Sequence, residues 1–302
     1  MVNQSIIEWL LEGDVSIQYQ VYRDLLEQQR PDLKVRISLE GWGARFLSLR
    51  KDNGHWGMKF YQPKWTSTHY TLLDLRNLCI DEYNPTTRDT VNKIIEERTF
   101  TPKKPTPLAS DICLNGMFLN YASYFKTNID DLRPIVDYIL SQHMADGGFN
   151  CAFIHGATHA SVHSTLSVME GIQEYTQNGY TYRLDELKNA ELRAREFLLE
   201  HRLYKSHRTG NIMDKKMLLL SYPSRWRYDI LKALDYFRYA KAPYDPCMSD
   251  ALEVLCHKRR SDEKWPLQAK HPGAVHFDME TAGEPSRWNT LRALRVLKHF
   301  NV

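Results

Sequence analysis

The sequence predicts an all-α protein, an (α/α)6 toroid in which six helical hairpins form a double ring. Three observations lead there. Apolar periodicity resolves into about a dozen helices and no convincing strand. The stretch Pro223-Ser224-Arg225-Trp226 returns as Pro285-Ser286-Arg287-Trp288, each copy opening an apolar helical run, and a recurring corner implies a recurring unit. Finally, polar turns that end on an aromatic residue separate the members of three pairs: Asp52-Asn53-Gly54-His55-Trp56, Asp146-Gly147-Gly148-Phe149 and Asp262-Glu263-Lys264-Trp265.

The pairs follow in order along the chain. Residues 5–12, 31–50, 88–98, 130–143, 184–202 and 245–258 are amphipathic with many charges, and are expected outside. Their partners, 17–28, 67–80, 110–125, 161–175, 224–240 and 286–300, read as inner helices, several of them opening on a Ser suited to the N-cap. In the fourth of these, Val162, Leu166, Met169 and Ile172 form one stripe. In the sixth, Leu291, Leu294, Leu297 and Phe300 do so, opposite Arg292, Arg295 and Lys298. Gly and Asp stop each outer helix, and the aromatic that follows is expected to staple the turn onto the apolar body.

Composition narrows the class. With 42% hydrophobic and 25% charged residues, the 302-residue chain has the balance of a folded globular protein. No linker or low-complexity tract divides it, so one domain, 1–302, is expected. Forty Lys and Arg against 37 Asp and Glu leave a charge of only +3 with the basic residues scattered, which excludes a nucleic-acid footprint. No apolar run reaches membrane-spanning length, and the N-terminus lacks the pattern of a signal peptide. Five widely spaced cysteines without a C-x-x-C fit reduced thiols and a cytoplasmic setting.

Two segments carry a family resemblance. Tyr138-Ile139-Leu140-Ser141-Gln142 followed by Asp146-Gly147-Gly148-Phe149 resembles the repeat of the terpenoid cyclases and protein prenyltransferases, and Phe46-Leu47-Ser48-Leu49-Arg50 with Asn53-Gly54-His55-Trp56 resembles it without the Gln. The resemblance implies an α/α toroid and chemistry on an isoprenoid-like, diphosphorylated substrate. It also implies zinc: Asp111-Ile112-Cys113 and His163 are similar to the prenyltransferase ligands, and carboxylate, thiolate and imidazole can supply three corners of a tetrahedral zinc site. The acid of the squalene-type cyclases is missing, since Asn128-Ile129-Asp130-Asp131 lacks its first carboxylate. Cys151, His155, His159 and His163, spaced every four residues, form a second metal candidate only if helical throughout.

In a toroid the inner helices start near one mouth of a central cavity, so their first turns converge. There the chain offers Trp65, His69, Asp111, Cys113, His159, His163, Arg225, Arg227, Asp229, Arg287 and Asn289, with Trp226 and Trp288 beside the arginines. Arg225, Arg227 and Arg287 suit an anionic ligand, with Trp65, Trp226, Trp288 and Asn289 as walls. His69, Asp229 and His276 are candidates for proton transfer. Two other readings fit the same residues: a lyase or hydrolase of acidic glycans, with Tyr70, Tyr228, His276, Asp278 or Glu284 moving the proton, and a cavity that binds an apolar or anionic small molecule without chemistry. The segment 270–285 is long enough to form a rim or lid.

Overall fold

A computed structural model describes residues 3–99 and 111–302. Its elements are α1 (Gln4–Leu11), α2 (Val15–Asp24), α3 (Pro31–Arg36), α4 (Gly41–Ser48), α5 (Thr68–Asn77), α6 (Pro85–Thr99), α7 (Ile112–Tyr124), α8 (Ile129–Ser141), α9 (Val162–Gln177), α10 (Leu184–Glu200), α11 (Ile230–Tyr239), α12 (Ser249–His257) and α13 (Arg287–Phe300). Among the described residues there is no β-strand, only isolated bridges.

Helices α2, α5, α7, α9, α11 and α13 form the inner ring. Each packs on the next from α5 to α13, and α13 returns to α2. The Gln20 side-chain amide donates to the Asn77 carbonyl at 3.0 Å and links α2 to the end of α5. Outside lie α1, the α3–α4 pair, α6, α8, α10 and α12. The fold is an (α/α)6 toroid. Its apolar layer lies between the rings: Leu166, Met169 and Ile172 of α9 are fully buried, as are Leu291 and Val296 of α13.

The polar turns do what their residues dictate. Trp56, Phe149 and Trp265 are all fully buried, and the backbone N–H of each donates to a threonine in the first turn of the next inner helix. Trp56 reaches Thr68 at 3.1 Å, Phe149 reaches Thr165 at 2.9 Å and Trp265 reaches Thr290 at 3.0 Å. This clasp is the structural repeat. Between α7 and α9 the approach is closer still: a Cβ on Gly171 would lie 2.3 Å from the Gly116 carbonyl oxygen, so only hydrogen fits.

Three expectations about elements are corrected. Residues 31–50 are two helices, because the chain turns through Gly41 at φ +64. The inner helix expected from Ser224 begins at Ile230, with Asp229 as the cap that accepts from the Lys232 N–H at 2.8 Å. Ser286 does cap α13, accepting from the Asn289 N–H at 2.9 Å. The two Pro-Ser-Arg-Trp copies are thus not equivalent: one lies in an irregular approach, the other in a first helical turn. Ser110, expected to open α7, lies outside the described residues.

Candidate functional site

At the mouth where the inner helices start, a cavity of about 210 Å³ lies between Trp65, Asp74, Tyr222, Arg225 and the segment from Lys270 to Glu280. Three features build it. Residues Tyr70 and Asp74 lie one turn apart on α5, hence on one face. The irregular approach to α11 turns at Arg225, whose φ of +56 is left-handed and aims its guanidinium at Trp65, 4.7 Å from the ring centroid, and at Tyr70, 6.0 Å away. The 270–280 segment closes over the top, where the Trp65 indole N–H donates to the Pro272 carbonyl at 2.6 Å.

The electrostatics are unusual for a packed core. Asp74 is 3% exposed, and burial raises its pKa to about 6 against the lowering charge of Arg225, whose Nη2 lies 4.0 Å away. Arg225 is itself buried and its pKa lowered by that burial, and its Nη1 makes no hydrogen bond. His271 and His276 line the same cavity, and burial followed by nearby arginines lowers each to about 4, so both are neutral at neutral pH. His276 Nε2 is held by Thr71 Oγ1 at 3.0 Å, whereas His271 Nε2 has no hydrogen-bond partner. One polar wall of the cavity therefore carries an unsatisfied cation and an uncommitted imidazole beside a carboxyl that titrates near neutrality.

Of the residues expected to converge, Trp65, Arg225 and His276 line this cavity. His69 is fully buried behind it, in a box of Phe60, Tyr61, Tyr70 and Tyr121, with its Nδ1 3.2 Å from the Tyr121 hydroxyl. Trp226 and Arg227 stack on each other at 4.8 Å to one side, near His163. Asp229 is engaged by the Ser221 hydroxyl at 2.8 Å and by the α11 N-terminus, so it is a structural cap.

The second motif copy points elsewhere. Arg287 donates to the Trp9 carbonyl at 2.9 Å and lies over the Trp9 ring at 4.7 Å, facing α1 rather than the mouth. Trp288 is buried in a stack with Tyr222, 4.6 Å between centroids, and the Asn289 amide donates to the Pro266 carbonyl at 3.0 Å. These three are packing residues, because a side chain leaving the first turn of a helix is directed by that turn, whereas Arg225 precedes its helix.

The zinc ligands expected from resemblance each have other partners or none in common. Asp111 is exposed at the α7 N-cap. The Cys113 and Cys151 sulfurs are 3.0 Å apart; their hydrogen bond raises the Cys113 thiol and holds Cys151 down at about 7. His163 Nδ1 accepts from the Tyr228 N–H at 2.9 Å. Gly156, at φ +87, and the short 3-10 turn Phe153–His155 keep Cys151, His155, His159 and His163 off a common helical face. Among the described residues no group of three or more His, Cys, Asp or Glu side chains is arranged to hold a metal ion.

Sequence reasoning missed Asp74 and His271. Asp74 lies mid-helix, where a lone Asp reads as solvent-facing, and His271 falls in the 270–285 segment, which has no periodicity to orient it. The usable signal was the coincidence of Tyr70 and Asp74 at i, i+4 in an inner helix.

No protein-family model matches the sequence, and no curated protein matches it. A solved structure of a polysaccharide lyase is similar in fold, with a TM-score of 0.57 over 98% of this chain and 95% of that one, at 12% identity. This finding overturns the likeness to terpenoid cyclases and prenyltransferases, and with it the isoprenoid diphosphate. The physical reason is plain: the Asp-Gly-aromatic signature marks the corner of a helical hairpin, here through the Asp146 carboxylate accepting from the Ala160 N–H at 2.7 Å and the buried Phe149, and every α/α toroid needs such corners. No helix among the described residues is long and apolar enough to cross a membrane.

Proposed function

We propose that this protein is a carbohydrate-active toroid that cleaves an acidic glycan by β-elimination. The observation that carries the reading is Arg225: a buried guanidinium with an open Nη1, stacked on Trp65 in the mouth cavity. A buried cation with an unmet donor favours a carboxylate, and an indole face suits a sugar ring. The polysaccharide lyase of similar fold supports a polysaccharide substrate and a lyase reaction.

The chemistry then follows from the charges. Pairing the uronate carboxylate with Arg225 neutralises it and acidifies the proton on the adjacent carbon. The neutral His271, with Nε2 uncommitted, takes that proton. The electron pair forms a carbon–carbon double bond, the glycosidic oxygen on the next carbon leaves, and protonated Asp74 supplies its proton. Hydrolysis would require two free carboxylates across the bond. Asp278 is paired with Lys270 at 2.9 Å, and Glu280 is occupied by the Arg287 N–H at 2.7 Å, which disfavours that route.

The test is incubation with a panel of uronate-containing polysaccharides, following the ultraviolet absorbance of the unsaturated uronate end. Wild-type protein is expected to generate it, and Arg225→Gln to lower kcat/KM by about 10²–10³-fold. Reducing ends without ultraviolet absorbance would mean hydrolysis, and no cleavage of any acidic glycan would refute the reading.

A further inference from the structure

The toroid has a second cavity, of about 150 Å³, running down the axis toward the ends of the inner helices, with Tyr222 in the walls of both. Its lining is cationic: Arg23, Arg76, Lys232, Arg238, Arg292 and Arg295 all face it. Against these six stand four carboxylates. Glu170 and Asp235 line the cavity, while Asp24 and Glu174 pair with its arginines from behind. Burial would raise Asp24 and Asp235, but the charges and hydrogen bonds of Arg23, Arg238 and Arg295 overcome it and hold both far below the usual carboxylate range. Both aspartates are therefore ionised at neutral pH, and even with a negative charge counted on each of the four carboxylates, two positive charges lack compensation.

Uncompensated charge in a semi-buried cavity is costly, and proteins retain it where a ligand supplies the counter-charge. Two arginines also have donors to spare. Arg76 Nε is buried without a hydrogen-bond partner. The deeply placed Arg292 makes only two long contacts, 3.4 Å each, to Asp235 and to the Ser221 carbonyl. From half-exposed Arg23 to buried Arg292, cationic side chains continue from solvent into the axis.

We propose that this axial cavity is an anion-binding site distinct from the mouth cavity, taking a small oxyanion of up to two negative charges such as a phosphate or sulfate group. It stands independently of the glycan reading, since none of the six cations takes part in the proposed elimination.

Cys79 provides the decisive variant. It lines the cavity, accepts from Arg23 Nη1 at 3.3 Å and has φ +62, a left-handed conformation that Asp tolerates better than most residues. Cys79→Asp places a fixed carboxylate where the oxyanion would contribute charge. The measurement is Tm against inorganic phosphate, with sodium chloride at matched ionic strength as reference. Wild-type Tm is expected to rise by about 5 °C at a hundredfold excess over Kd. Cys79→Asp should have a higher Tm in phosphate-free buffer and at least a tenfold weaker phosphate response. Arg225→Gln, at the mouth, should keep the full response. Equal Tm in phosphate and chloride, or a response lost in Arg225→Gln and kept in Cys79→Asp, would overturn the proposal.

Discussion

Asp74 and His271 set the pH at which the mouth cavity can work. Burial reverses the usual order of the two groups: the carboxyl rises to about 6 and the imidazole falls to about 4. A base is useful only above its pKa and an acid only below its own. Activity should therefore rise as pH climbs through the histidine value, fall as it passes the aspartate value, and peak between them, on the acid side of neutrality. Asp74→Asn removes the donor without changing size, so kcat should drop and the alkaline limb should flatten, while KM for a substrate held by Arg225 changes little. A pH–rate profile of kcat/KM for both proteins checks this. An unshifted alkaline limb in the variant would assign the acid to another group. Arg225 shows how finely placement decides such roles. It shares its four-residue context with Arg287, yet one guanidinium enters the cavity and the other lies on Trp9.

Three of the hairpin corners depend on one threonine hydroxyl each. Phe149 and Trp265 are fully buried, and their backbone N–H groups find acceptors only on Thr165 and Thr290. Replacing either threonine with valine keeps the shape and strands a buried donor, which should cost about 1–3 kcal/mol by urea unfolding. Thr176→Val is the control: its hydroxyl merely bonds the Ile172 carbonyl within α9, and its loss should stay within about 0.5 kcal/mol. The corners explain what was legible in the sequence. Apolar periodicity and the turn-plus-aromatic corners are local signals, so the hairpins, their pairing and the toroid could be read from them. The Thr partner, 12 to 25 residues onward, could not be matched by any local rule. The faces of the inner helices were legible only in part, because the stripe opposite the leucines of α13 is not solvent. It faces the ring axis, where Arg292 is 5% exposed. Site residues were least legible. Trp65 and Arg225 stood out as a large aromatic and a repeated motif, but Asp74 gains its character only from burial beside Arg225, a contact across 151 positions that no spacing announces.

Closing a ring joins the two ends of a chain, and here the joint is electrostatic. Arg295 of α13 bonds Asp24 of α2 at 2.8 Å and Gln20 at 3.0 Å, and it also grips Asp235 of α11. Asp235 in turn holds Arg238 at 2.8 Å and Arg292 at 3.4 Å, so one carboxylate ties three inner-ring cations together. Removing it leaves those cations unpaired at low exposure, and breaking a buried pair on one side commonly costs about 3–5 kcal/mol. Asp235→Asn should therefore lower stability by that order, more than loss of any exposed pair such as Arg36–Glu40. The linkage also fixes a pH dependence. Asp24 and Asp235 have folded-state pKa values far below those of the unfolded chain. Their contribution is complete above the ordinary carboxylate pKa near ~4 and disappears as pH falls toward the folded-state values. Wild-type protein should lose stability steeply as pH falls below about 4, whereas Asp235→Asn should start lower and follow a shallower slope, since one of the two depressed carboxylates is gone. Because the Arg295–Asp24 pair spans the first and last inner helices, its loss in Asp24→Asn should free α13 from α2 before the rest unfolds. Hydrogen exchange of Asp24→Asn should show faster exchange in those two helices with α7 and α9 still protected. Uniform acceleration across all helices would mean that the ring opens only by global unfolding.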